Sequence, residues 1–225
     1  MRRTLIPVFI SALSVCFALI APMSIKAQSP QNTSEEEDSR IKEILRTKGL
    51  KEAVKVKGQY TSVELVHYYL VYDLESLTQD SSAIVIGVPT SNECQLTSSR
   101  DSITTVYKVS VKEAIKGAFL PDSTITVGLP GGRVNFDDGT FAEIRTPGFE
   151  KMVNGKEYVL FLTKGPNESQ IYNLTGGSQG LFSIREDGQK IISHAPPNFT
   201  LSKYNNESRA WFSSQVRALA QKWPD

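Results

Sequence analysis

The sequence predicts a mainly β protein, an antiparallel barrel or sandwich flanked by helices. Three observations carry that expectation. Short apolar or alternating segments recur between residues 83 and 193, each bounded by turn-forming residues. No helical period interrupts them. Helical periodicity returns on either side, before residue 80 and after residue 205.

The chain opens "MRRTLIPVFISALSVCFALIAPMSIKA". Arg2 and Arg3 precede an apolar core, and a short polar stretch leads to Ala27. This is the layout of a secretory signal peptide, read as cleaved after Ala27, with a retained membrane anchor as the alternative. The apolar core is short for a span, which needs about 20 apolar residues. Cys16 follows Val15, which does not fit a lipoprotein signal.

The chain carries 25 basic and 24 acidic residues, a net charge of +1. Loss of residues 1–27 removes Arg2, Arg3 and Lys26 and no acid, leaving a weakly acidic chain. Such a balance gives no electrostatic reason to bind nucleic acid or an anionic membrane. Beyond the leader no apolar run is long enough to span a bilayer. Cys94 is then the lone cysteine, so stability must come from an apolar core and not from an internal disulfide. Its polar surroundings, "TSNECQLTSSRDS", read as a loop that leaves the thiol without a partner.

"QSPQNTSEEEDSR", residues 28–40, is polar and acidic and reads as a disordered linker. Ile41, Ile44 and Leu45 add a weak helical stripe that ends at Gly49. "TSVE", residues 61–64, matches a capping box, and Val63, Val66, Leu70, Leu74 and Leu77 follow at helical spacing. These predict a helix over residues 61–80. "AIVIGVP" is then a buried strand by its β-branched run. Ile103, Thr105, Tyr107, Val109 and Val111 alternate with polar residues and define one face of a long strand. Ile125, Val127 and Leu129 repeat the pattern. "FDDGTFAEI" and "GLFSIREDGQKIISH" are Asp-Gly hairpins. "EYVLFLT" is apolar on both faces, hence central. In the tail, Phe212, Val216, Leu219 and Trp223 form one helical stripe that must dock on another surface.

"NLTGGSQGLFSI" places three glycines in five residues. A phosphate-binding glycine loop needs a following helix and usually a lysine. Here a strand follows, so Gly176, Gly177 and Gly180 are turn or bulge residues, as are the glycines of "LPGGR".

Chemistry is harder to find. Only His67 and His194 are present, and neither belongs to a zinc-binding motif. His67 reads as a packed helical residue and His194 as a strand-end residue. No GxSxG occurs, and Asp137 and Asp138 are explained by their hairpin turn. Catalytic carboxylate pairs are a three-dimensional property, and nothing in the sequence selects one. No residue is assigned a catalytic, cofactor-binding or metal-binding role.

The run "SSAIVIGVPT", "ITTVYKVSVKEAIKG", "STITVGLPGGRV", "TPGFEKMVNGKEYVLFLT", "YNLTGGSQGLFSI" resembles a group of uncharacterised exported bacterial proteins. The same order resembles the OB-like barrel of tissue inhibitors of metalloproteinases and netrin-like modules. The resemblance covers about half the chain and implies fold only. Those inhibitors chelate metal through an N-terminal cysteine and are stapled by disulfides, and neither feature has a counterpart here.

The expected organisation is a signal peptide at 1–27, a polar linker with a weak helix at 28–60, and a helix at 61–80. An OB-like antiparallel β-barrel follows at 81–195, with a C-terminal amphipathic helix at 196–225 packed on it. The expected function is exported, non-catalytic binding of an extracytoplasmic protein or saccharide. The alternatives are an extracytoplasmic hydrolase using carboxylates and a structural subunit of an envelope assembly. An exposed apolar patch would favour binding or assembly. A deep pocket with two acids, or His194 beside a serine or aspartate, would favour the enzyme.

Overall fold

The computed structural model describes residues 31–65, 70–165 and 170–223. The predicted signal peptide, Val66 and His67 lie outside them. Helices α1 (Gln31–Lys48) and α2 (Leu50–Lys57) open the described chain and are separated at Gly49. The predicted linker is therefore helical from Gln31. Lys57 reaches back to Asp38 at 3.2 Å, so part of the acidic run faces a basic partner.

The helix expected over 61–80 is corrected. Strand β1 (Gln59–Val63) occupies its start, and only α3 (Leu74–Asp80) is helical. The Thr61 capping pattern loses to pairing, because β1 lies parallel to β6 (Phe141–Arg145), Thr61 opposite Glu143. The true capping box starts further along the chain, at Asp73: its side chain accepts from Ser76 N at 2.8 Å, and Asp73 N donates to Ser76 Oγ at 3.1 Å.

The remaining strands are β2 (Ala83–Leu96), β3 (Ile103–Lys116), β4 (Thr124–Pro130), β5 (Gly132–Asn135), β7 (Tyr158–Lys164), β8 (Ile171–Leu174), β9 (Leu181–Ile184) and β10 (Ile191–Ser193). They build a three-stranded sheet, β1-β6-β5, and a seven-stranded sheet, β10-β9-β7-β2-β3-β4-β8. In the larger sheet β8 pairs parallel with β4 and antiparallel with β7. The bonding of β7, β2, β3, β4 and β8 thus closes into a ring. The expected mainly β character holds, with two parallel pairs in an otherwise antiparallel arrangement.

Alternation explains the layers. Val85, Tyr107, Val109, Val127, Leu160, Leu162 and Leu174, drawn from every strand of the ring, share one core. The opposite face of β2 and β7, with Ile84, Ile86, Val159 and Phe161, forms a second core with α3 and α4 (Arg209–Lys222). That is why both strands read as apolar on both faces. A third core joins Leu50 and Val54 to Ile103, Ala142 and Ile144 under the smaller sheet.

Helix α4 docks as the tail periodicity predicts, with Phe212 and Val216 fully buried and Leu219 partly so. Trp223 departs from the stripe: it caps the helix end and stays exposed. Arg209 clamps Glu157 through both Nη atoms, at 2.9 and 2.6 Å. No helix among the described residues is long and apolar enough to cross a membrane.

Two smaller readings resolve differently. Cys94 is not in a loop: it pairs with Thr105 inside the β2–β3 ribbon, half-buried, its Sγ 3.4 Å from Thr105 Oγ1. The polar alternation of an outer strand mimics a loop when the partner strand is unknown. The "GGSQG" glycines do serve a turn, a 3-10 turn over Gly177–Gly180 leading into β9. Gly176 and Gly177 have φ of 64° and 65°, and a Cβ at Gly180 would lie 2.5 Å from Thr175 O.

Candidate functional site

Strand β6 ends in "TPGFE", residues 146–150, and this loop is the centre of the chemistry. Pro147 and Gly148 turn the chain, and Phe149 N donates back to Thr146 O at 3.1 Å. Phe149 packs against the ring core beside buried Met152. Val153 N donates to the Tyr158 hydroxyl at 2.9 Å. Burial pushes the pKa of the Tyr107 hydroxyl up to about 12, with the Met152 backbone opposing the rise. Burial raises the Tyr158 pKa as well, so both phenols stay protonated, and Tyr158 holds the loop's exit.

The loop separates two clefts. One, of about 420 Å³, lies between it and the β4–β5 turn. The other, of about 660 Å³, lies between it and residues 192–197. Thr146 and Glu150 line both.

His194 lines the second cleft. Its Nδ1 is 3.1 Å from Glu150 Oε2, and its Nε2 is 3.0 Å from Ser183 Oγ. Only 9% of the imidazole is exposed. Burial lowers its pKa below 6.5, the nearby Glu150 carboxylate opposes that, and Lys156 adds to it. The ring is neutral at pH 7. A carboxylate only accepts, so Nδ1–H donates to Glu150 and Nε2 accepts from the Ser183 hydroxyl.

This is the wiring of a serine–histidine–acid triad, and it meets the condition that favoured an enzyme. Accessibility removes the nucleophile. Ser183 is fully buried in β9, opposite Tyr158 and Ile192, and does not line the cleft. A substrate carbonyl has no approach to its oxygen. The Glu150 carboxylate is 77% exposed, so its bond to the imidazole is a surface contact that ties the end of the 146–150 loop only weakly to the β9–β10 hairpin. Sequence reading placed His194 at a strand end, which is correct, but missed Glu150 and Ser183. Their only signal is proximity created by the β9–β10 hairpin and the loop.

The first cleft carries the charge. Register puts Arg133 opposite Glu143 and Asn135 opposite Phe141. Period-two alternation sends Ala142 and Ile144 into the third core and leaves Phe141, Glu143 and Arg145 on the other face. Arg133 lies over the Phe141 ring at 3.8 Å and donates from Nε to Asn135 Oδ1 at 3.2 Å. Arg145 Nε donates to Glu143 Oε1 at 2.8 Å, and that hydrogen bond holds the Glu143 carboxyl below its usual range. Lys151 acts on Glu143 through space without a close pair. At the cleft wall the Thr146 Oγ1 is buried without a hydrogen-bond partner.

Among the described residues no group of three or more His, Cys, Asp or Glu is placed to hold a metal ion. Asp137 and Asp138 sit in the β5–β6 hairpin turn as expected, with Asp138 accepting from Thr140 N at 3.0 Å. Compared with protein-family models the chain matches none, and compared with curated proteins it matches none.

Proposed function

We propose that this chain is exported and acts as a non-catalytic binding module for a saccharide or protein, built on an OB-like barrel. The observation that carries the reading is the cleft beside residues 146–151, with an aromatic and apolar floor and a charged rim. Pre-formed clefts of about 300–1,000 Å³ with a few directed polar groups are the usual form of small-ligand sites. The closed bonding ring of five strands supports the barrel, since barrels of this kind present ligands to an open face and its loops. The arginine-led apolar start and the Ala27 boundary support export.

The test is a glycan array and a peptide array probed with the purified chain, with hydrogen exchange to locate the contact. Retention of a ligand that protects residues 146–151 is the expected result. Retention of nothing on either array would defeat the binding reading. The hydrolase alternative has one observation in its favour, the Ser183–His194–Glu150 wiring. A fluorophosphonate probe decides it: covalent labelling at Ser183 would establish an opened nucleophile, and an unlabelled protein is expected.

A further inference from the structure

We infer that β1 is an interface between two copies of this chain, which join antiparallel along Gln59–Val63 with a two-fold axis at Thr61 and so fuse their three-stranded sheets into one.

The edge itself comes first. β1 ends the smaller sheet, with β6 on one side and no strand on the other. Its register with β6 runs unbroken from Gln59 to Val63. Glu64 N donates to Arg145 O at 2.9 Å, so the even-numbered residues of β1 turn their backbone groups toward β6. By strand alternation Gln59, Thr61 and Val63 turn theirs outward, where they meet no partner among the described residues. Open edges are templates for foreign strands, and proteins blunt them with charge, proline, bulges or cover. This protein does so elsewhere. β8 occupies the edges of β4 and β7. Residues 205–208 cover β10, with Ile191 N donating to Glu207 O at 3.1 Å and Asn206 N to Ile191 O at 2.9 Å. β2 beyond its pairing with β7 carries Pro89, a bulge and Glu93, and β5 carries Arg133. The β1 segment, "QYTSV", has none of these devices. Val63 is 55% exposed and Leu65, just beyond it, 70%, so apolar surface lies open at the same edge.

The register selects a second copy as the occupant. Outward groups bond only to outward groups, so a like strand running antiparallel must set odd residues against odd residues. Centring on Thr61 achieves this over the whole strand. Gln59 then faces Val63 of the other copy, Thr61 faces Thr61, and Val63 faces Gln59, each facing pair exchanging two hydrogen bonds. The exposed side chains of these positions lie together on one face, with a Thr–Thr pair of the favourable cross-strand kind at the axis. Charge agrees. The strand is neutral, Lys57 precedes it and Glu64 follows it, so each copy brings its basic end to the other's acidic end. Glu64 forms no ion pair among the described residues, its Oε1 accepting from Ser102 Oγ at 2.9 Å. The contact of Lys57 with Asp38 is exposed and competes only weakly. Thr61 lies opposite Glu143 and Val63 opposite Arg145, so the rim residues of both copies come to share one face of the joined sheet.

Such a short edge buries less than a standard interface of about 1,600 Å², so a dissociation constant on the order of 10 μM is expected. Sedimentation equilibrium of the purified chain from about 1 to 200 μM brackets that value and should show a reversible monomer–dimer equilibrium. Thr61→Lys sets like charges face to face at the axis and should weaken the dimer about tenfold or more. Gln59→Lys is a second variant at the strand's end and should weaken it in the same direction. Both side chains are exposed, so each variant should melt like the dilute parent. Amide exchange by NMR locates the contact. On going from dilute to concentrated samples the Gln59, Thr61 and Val63 amides should slow, while those of Tyr60 and Ser62, already turned to β6, should not change. A chain that stays monomeric at about 200 μM would overturn the inference. A dimer that neither variant weakens, or that slows other amides and not these three, lies elsewhere and would overturn it too.

Discussion

Truncating Phe212 to alanine tests whether α4 is part of the fold's foundation or an appendage. The ring is fully buried, 4.8 Å from Phe182 and 5.4 Å from Tyr204 by centroid. Phe182 in turn meets Phe161 at 5.6 Å, so the cavity would open in the middle of an aromatic row. Removing a buried phenyl ring costs about 3–5 kcal/mol, the lost transfer energy plus the unfilled space. Against a total of about 5–15 kcal/mol for a folded domain, that is a large fraction. Urea unfolding reads it directly. With an m of about 2 kcal/mol per molar, the midpoint should fall by about 1.5–2.5 M at unchanged m. Gln215→Ala, on the exposed side of the same helix, should stay within about 0.5 kcal/mol of the parent. A Phe212→Ala midpoint within 0.5 M of the parent, on the order of 1 kcal/mol by the same slope, would refute the packing argument.

Acidification should destabilise the fold through His194. Burial holds its folded pKa below the ordinary 6.5, so the unfolded chain binds the proton more readily. The contribution is complete above pH 6.5 and is lost as pH falls through the folded value. Comparing melting temperatures at pH 7.5 and 5.5, the drop should be smaller in His194→Gln than in the parent, and an equal drop would show that other groups carry it. Glycine substitutions should separate two costs. Gly180→Ala drives a Cβ to 2.5 Å from one carbonyl and 3.0 Å from another, and should cost several kcal/mol or prevent folding. Gly139→Ala, at φ of 80° in open space, should cost only about 1 kcal/mol; similar midpoints for the two variants would undo that distinction.

How far the sequence reveals this molecule depends on whether the deciding contact is local. The Ile103 to Val111 alternation, the β5–β6 and β9–β10 hairpins and the buried face of α4 are all set by neighbours a few residues away, and all are legible. The β1 strand is not. Its identity comes from Arg145 and its neighbours, some eighty residues downstream, while Thr61 and Glu64 satisfy a helix-start pattern at the right spacing. Cys94 is misread for the same reason, since its partner Thr105 is defined only once the ribbon pairs. The site is less legible than the fold. Ser183, His194 and Glu150 lie on three separate segments, and the Arg133–Glu143 register exists only after the hairpin closes. "TPGFE" is visible as a turn, but nothing local says that it divides two clefts.

The double pairing of β8 has a consequence for how the protein avoids self-association. Four residues, Ile171–Leu174, occupy hydrogen-bonding edges that would otherwise be offered by β4 and β7. Gly128 permits the close approach, since a side chain there would meet Ile171 Cγ2 at 3.1 Å. If this short strand lifts away, two templates for foreign strands are uncovered together. The free energy of that single local opening, more than the global stability, then governs how often native molecules expose aggregation-competent edges. Amide exchange across these four residues is the quantity that tracks it.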